Sequence, residues 1–148
     1  MKQVDFYLIS NQVADAKFKL ASRLSNKLQR SDKKVLVVTD DQASVEILDR
    51  VMWSFSDTSF LAHEQLGQDS NSLSKVQIGH SATVDSSHLQ ADFDVLLNLS
   101  GKVPAFSQHF DRIAEIVEAD EASKAAARIR FSDYKQAGLE LKTHSIEL

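Results

Sequence analysis

The chain has 148 residues, 43% of them hydrophobic and 26% charged, with a formal net charge of −4 and no cysteine. That composition suits an ordinary globular protein with one domain spanning 1–148 and a substantial core. The acidic balance disfavours tight direct nucleic-acid binding, which needs a basic surface to meet phosphates. The missing thiols exclude disulfides, cysteine ligands and a thiol nucleophile, as suits a reducing cytoplasm.

Val4 to Ile9 is a short run of strand formers and reads as a buried strand. From about Asn11 to Arg30, Val13, Lys17, Leu20, Leu24 and Leu28 recur at helical spacing. Val35-Leu36-Val37-Val38 is an unbroken apolar run, the mark of a central parallel strand covered on both faces. Asp40-Asp41 opens a second helix that runs to about Phe55. Further strands are expected at Val76–Gly79, Phe93–Leu99 and Arg112–Glu118, with the polar stretch 68–92 otherwise a long loop. A last helix, from about Glu121 to Ala137, ends at Gly138, and Leu139–Ile146 follows as an edge strand. Strand and helix alternate, which predicts a doubly wound, Rossmann-like α/β domain around a mostly parallel sheet.

No nucleotide-binding loop accompanies that fold. The four glycines, Gly67, Gly79, Gly101 and Gly138, are too scattered for a G-x-G-x-x-G or G-x-x-x-x-G-K-[ST] turn. Asp40 and Asp41 sit where a Mg²⁺ site of a nucleotide-binding enzyme could lie, the alternative reading of the chain. Helix capping is the expected role for both. The five histidines form no H-x-x-x-H pair, and no G-x-S-x-G elbow exists. No catalytic residue, metal or cofactor is expected. Met1-Lys2-Gln3-Val4-Asp5 does not read as a signal peptide, and no apolar run approaches the ~20 residues of a membrane helix. A cytoplasmic protein without membrane contact is expected.

Two surfaces invite a partner. Lys124, Arg128, Phe131 and Lys135 fall at i, i+4, i+7 and i+11, within roughly a 60° arc of the last helix. By itself such a stripe reads first as solvated cations beside a partly covered ring. The ring among the charges suits an acidic ligand with an aromatic or carboxylate end. On the other side Ala122, Ala125, Ala126, Ile129 and Ala137 are expected to pack on the sheet. The second surface is on the helix after Asp41. Val45, Leu48, Met52 and Phe55 form its apolar stripe, with Ile47 and Val51 beside it, while Trp53 lies among Glu46, Asp49 and Arg50. Such a tryptophan is either folded under a loop or exposed for a partner.

Short motifs in order along nearly the whole chain carry a resemblance. They include Asp5-Phe6-Tyr7-Leu8, Lys34-Val35-Leu36-Val37, Leu48-Asp49-Arg50-Val51-Met52-Trp53 and Ser59-Phe60-Leu61-Ala62-His63. They continue through Val95-Leu96-Leu97-Asn98-Leu99-Ser100, Val103-Pro104, Glu115-Ile116-Val117, Ala127-Arg128 and Leu141-Lys142-Thr143-His144. The chain resembles the chi subunit family of bacterial DNA polymerase III, part of the clamp-loader assembly. The resemblance implies a protein without enzymatic activity that bridges two partners. Lys124, Arg128, Phe131 and Lys135, with Val117 and Thr143, would bind the acidic C-terminal tail of single-stranded DNA-binding protein. Trp53, Phe60 and Leu61 would bind the psi subunit. Some family members also associate with a repair helicase through an overlapping face. Phe131 stands where the family often has tyrosine, and Ala62 where it often has proline.

Overall fold

The structure is a computed structural model that describes residues 2–54, 63–66, 75–80, 82–84 and 93–148. In chain order they form β1 (Gln3–Ile9), α1 (Ala16–Arg30), β2 (Val35–Thr39), α2 (Gln42–Trp53), β3 (His63–Gln65) and β4 (Val76–His80). There follow β5 (Val95–Asn98), a 3-10 turn (Ser107–His109), β6 (Arg112–Val117), α3 (Glu121–Gln136) and β7 (Glu140–Ile146). Among the described residues the strands make a seven-stranded sheet in the order β3-β4-β2-β5-β6-β1-β7. Every neighbouring pair is parallel. The expected α/β fold is present.

Apolar layers cover both sides of the sheet, because parallel strands bury both faces under helices. All five residues of β2 are buried, as its unbroken apolar run predicts. One core joins α1 and α2 to Val35, Val37, Leu97, Ala114 and Ile116. The other joins Val4, Phe6, Leu36, Leu96, Ile113 and Val117 to Ala127 and Tyr134 of α3. Successive residues of β1 therefore serve opposite cores, following the two-residue period of a strand.

Three details depart from the sequence expectation. First, α1 starts at Ala16 rather than near Asn11. The preceding chain is held as a turn, with Asn11 and Leu148 bonded in both directions (2.7 and 2.9 Å) and Asp15 in the left-handed region at φ 55°. Second, β3, too short for any periodicity to show, adds an unexpected strand beside β4. Third, α3 is turned differently. Ala122, Ala125 and Ala137 are exposed and Ile129 is 65% exposed, so they are not its sheet-facing side. The buried residues are Ala127, Arg130 and Tyr134. The cause lies beneath the helix, where the buried Glu115 must be met by donors long enough to reach it.

Two glycines are needed where they stand. Gly138, at φ 85°, ends α3 with its own N–H on the Lys135 carbonyl and that of Leu139 on the Tyr134 carbonyl. This pair of hydrogen bonds satisfies orphan carbonyls, and the positive φ favours a residue without Cβ. At Gly79 of β4 a Cβ would come within 2.8 Å of Leu66 Cδ1 and 2.9 Å of Thr83 Oγ1.

Candidate functional site

The parallel register places Phe6 beside Thr143 and Leu8 beside Val117 on the face of the sheet under α3. Alternation along β1 makes Phe6 and Leu8 neighbours on that face. Above them α3 contributes Lys124, Ala127, Arg128 and Phe131. Together with Ile9 and Glu118 these residues enclose an apolar cavity of about 330 Å³. Five residues singled out in the sequence, Val117, Lys124, Arg128, Phe131 and Thr143, thus line one cavity. Lys135 lies about a turn beyond Phe131 and outside the lining. The sequence pattern does not single out Phe6, Leu8, Ile9, Glu118 or Ala127 as site residues; for the first three the apolar run of β1 is the available signal.

The floor is aromatic. Phe6 is buried, with its ring centroid 5.4 Å from that of Phe131 and 6.1 Å from that of Tyr134. The rim is cationic. Arg128 is exposed and makes no ion pair or hydrogen bond among the described residues. Lys124 stands 3.8 Å from Glu121, a solvated i,i+3 pair, which leaves its charge largely available. An apolar cavity with exposed cations at its mouth can hold a hydrophobic side chain and neutralise a carboxylate attached to it.

Buried polar contacts fix the helix that carries this rim. Arg130 Nε donates to Glu115 Oε1 at 2.9 Å, while Tyr134 Oη and Asn98 Nδ2 donate to Glu115 Oε2 at 2.6 and 2.8 Å. Burial pushes the Glu115 carboxyl up, and the Arg130 guanidinium beside it opposes that shift. Burial, reinforced by Glu115, also pushes the Tyr134 hydroxyl up and keeps it protonated as a donor. At its N-terminus α3 is capped by Asp120, which accepts from Ser123 N at 2.9 Å and Ser123 Oγ at 2.7 Å.

The second predicted surface is only partly described. Trp53, the last residue of α2, is 57% exposed and tilts against the His63 ring at 4.7 Å. His63 is in turn 2.9 Å from Asp49. Phe60 and Leu61 lie outside the described residues, as do Phe55 and Ala62. Val45, Leu48 and Met52 are buried as their spacing predicts.

Asp41 caps α2 by accepting from Ser44 N at 2.9 Å. Asp40 plays a different part: its Oδ1 accepts from Gly101 N at 2.8 Å and ties the end of β2 to the loop after β5. No group of three or more His, Asp or Glu able to hold a metal occurs among the described residues. No described helix is long and apolar enough to cross a membrane.

The family model described as DNA polymerase III chi subunit, HolC, matches residues 1–142. The chain is 31% identical over 146 residues to DNA polymerase III subunit chi of Pseudomonas aeruginosa, covering 99% of this chain and 98% of that protein. The proteins of the same name from Haemophilus influenzae and Escherichia coli are each 27% identical, with 97% or more of both chains covered. In fold it is similar to T4 UvsW, with a TM-score of 0.69 at 6% identity, over 99% of this chain but 41% of that longer one. The last likeness concerns fold alone. The first four span nearly the whole chain, and on them the chain belongs to the DNA polymerase III chi subunit family.

Proposed function

We propose that this chi-family protein is an accessory replication subunit without catalytic activity of its own. It tethers the clamp loader, through psi, to the C-terminal tail of single-stranded DNA-binding protein. The observation that carries the reading is the convergence of Val117, Lys124, Arg128, Phe131 and Thr143 on one apolar, cation-rimmed cavity. An acidic tail ending in an aromatic residue with a free carboxylate matches it part by part. The ring enters between Phe131 and Val117. The terminal carboxylate takes charge-assisted bonds from Arg128, each of the order of 1.5–3 kcal/mol. Lys124 and Lys135 attract the acidic residues upstream, in a manner weakened by salt. Phe131 brings no hydroxyl, so polar recognition falls chiefly on Arg128. A cavity this small binds one tail weakly, and several tails on one partner make up the difference by avidity. Trp53 supports the psi face, since an exposed tryptophan at a helix end is a typical anchor for a partner.

Titration with an acidic peptide ending in phenylalanine tests the tail site. The free-acid peptide is expected to bind at least about tenfold more tightly than its C-terminally amidated form, the equivalent of one charge-assisted bond. Equal affinity for the two peptides would sink the assignment.

A further inference from the structure

We propose that the opposite face of the sheet carries a second binding groove, for the sugar-phosphate backbone of single-stranded nucleic acid. The groove runs between α1 and the β1–β7 side of the sheet. It is formed by two adjoining hollows of about 480 and 270 Å³ that share Tyr7, Leu24, Lys27 and Ser31. Arg23, Lys27 and Arg30 wall one hollow, Lys33 and Arg112 stand at the other, and no acidic residue lines either.

The charge comes from α1 itself. Ala16–Arg30 carries Lys17, Lys19, Arg23, Lys27 and Arg30 and no acid, in a protein whose net charge is −4. Lys19, Arg23, Lys27 and Arg30 are all exposed and fall at i, i+4, i+8 and i+11, a single stripe within roughly 80°. Helix stability does not account for it. Lys27 and Arg30 in the last turn complement the dipole, but Lys19 and Arg23 do not. Like charges at i,i+4 repel one another, and none of the four has an ion-pair partner among the described residues. A stripe that is unfavourable to the isolated helix is accounted for by a ligand of opposite sign.

The shape of the groove distinguishes among polyanions. Its floor is Leu20, Leu24, Ile146 and the Tyr7 ring. At its margin His144 stacks on Tyr7, with centroids 4.9 Å apart and planes within 20°, while the His144 side chain remains 42% exposed. A flat ring beside a row of cations is the arrangement that holds single strands, with bases stacking and phosphates tracked by charge. An acidic peptide without aromatic residues would use the cations alone. From Lys19 to Arg30 the stripe spans about 16 Å, room for a few phosphates of one strand, whose spacing is ~3.4 Å in a stacked helix and wider when extended. The acidic remainder of the chain keeps such binding weak and dependent on salt. This groove stands on different residues from the tail cavity and does not rest on it. The two are nonetheless one strand's thickness apart, with Phe6 and Thr143 on one face and Tyr7 and His144 on the other.

Anisotropy of a labelled oligothymidylate with the whole protein is the test. Wild type is expected to bind at about 50 mM salt and to lose roughly 20- to 50-fold in affinity by about 200 mM, as neutralising three or four phosphates of a single strand requires. The triple variant Arg23→Ala, Lys27→Ala, Arg30→Ala loses at least about tenfold at the lower salt and flattens the salt dependence. His144→Ala, checked for folding by circular dichroism, loses at least about fivefold through the missing stack. Lys2→Ala, Arg50→Ala, Lys102→Ala removes the same net charge elsewhere and leaves binding within about twofold. The proposal is overturned if wild type shows no binding at about 50 mM salt, or if the second triple variant loses as much as the first. It is also overturned if polyglutamate of equal charge occupies the groove as tightly as the oligonucleotide, which would make the occupant an acidic protein segment.

Discussion

The rings of Phe6 on β1 and Phe131 on α3 meet at 5.4 Å with their planes at 56°. The contact joins the first strand to the last helix and also forms one end of the cavity. Phe131→Ala should therefore reduce both stability, by about 1–3 kcal/mol for a half-buried aromatic, and tail-peptide affinity. Phe131→Tyr should keep both. Thermal melts read alongside peptide titrations separate the two effects.

Arg128 is exposed and bonded to nothing among the described residues, so its removal costs the fold little. Arg128→Ala is expected to weaken the tail peptide at least about tenfold with an unchanged melting temperature. Lys135→Ala, outside the cavity lining, should matter only at low salt. Calorimetric titration at two salt concentrations checks both expectations; an unaffected Arg128→Ala would count against the cavity as the tail site.

Glu115 is fully buried against Arg130, Tyr134 and Asn98. Glu115→Ala leaves an uncompensated guanidinium in the core and should cost about 3–5 kcal/mol. Tyr134→Phe loses one donor and should cost about 1–3 kcal/mol. Urea denaturation measures both. A Glu115→Ala protein as stable as wild type would show that the pair does not hold α3.

How far the sequence discloses this molecule depends on what each residue must satisfy. The apolar runs of β1, β2, β5 and β6 are legible because burial on both faces leaves little room for polar residues. The cavity residues of α3 are legible because cations around a ring are an unusual helix face. The rotation of α3 is not legible from the helix alone. Its alanines fit a core face equally well, and Arg130 reads as one more surface cation. The decisive residues lie elsewhere in the chain: Asn98 ends the apolar run of β5 and Glu115 interrupts that of β6, and these polar residues are the signal that a long donor must come inward. The α1 stripe was readable as charge, but the groove it borders exists only once β1 and β7 are paired.

Asp41 and Asp120 cap α2 and α3, and bonds from Ser44 and Ser123 respectively hold their carboxyls below the usual range. A carboxyl whose folded pKa is depressed contributes stability that is complete above its unfolded value, near about 4, and lost as pH falls through the folded one. Asparagine caps as well as aspartate. The double variant Asp41→Asn, Asp120→Asn should match wild type at neutral pH and lose less melting temperature on acidification. Melting curves from neutral to strongly acidic pH provide the comparison.

Trp53 is 57% exposed at the end of α2. Trp53→Ala should leave the fold intact while abolishing capture of psi, and Arg128→Ala should lose only single-stranded DNA-binding protein. Parallel pull-downs with the two variants decide whether the faces are separate; loss of both partners in either variant would argue against two independent sites.

Pairing of β1 with β7 has a consequence for the order in which the molecule becomes competent. Phe6 is synthesised well before Thr143, yet the two sit side by side beneath α3. A nascent chain can form β2, α2 and their neighbours while still on the ribosome, but it has no cavity until its closing strand is made. A prematurely terminated product would therefore lack the means to engage a tail and could not compete with finished molecules for it.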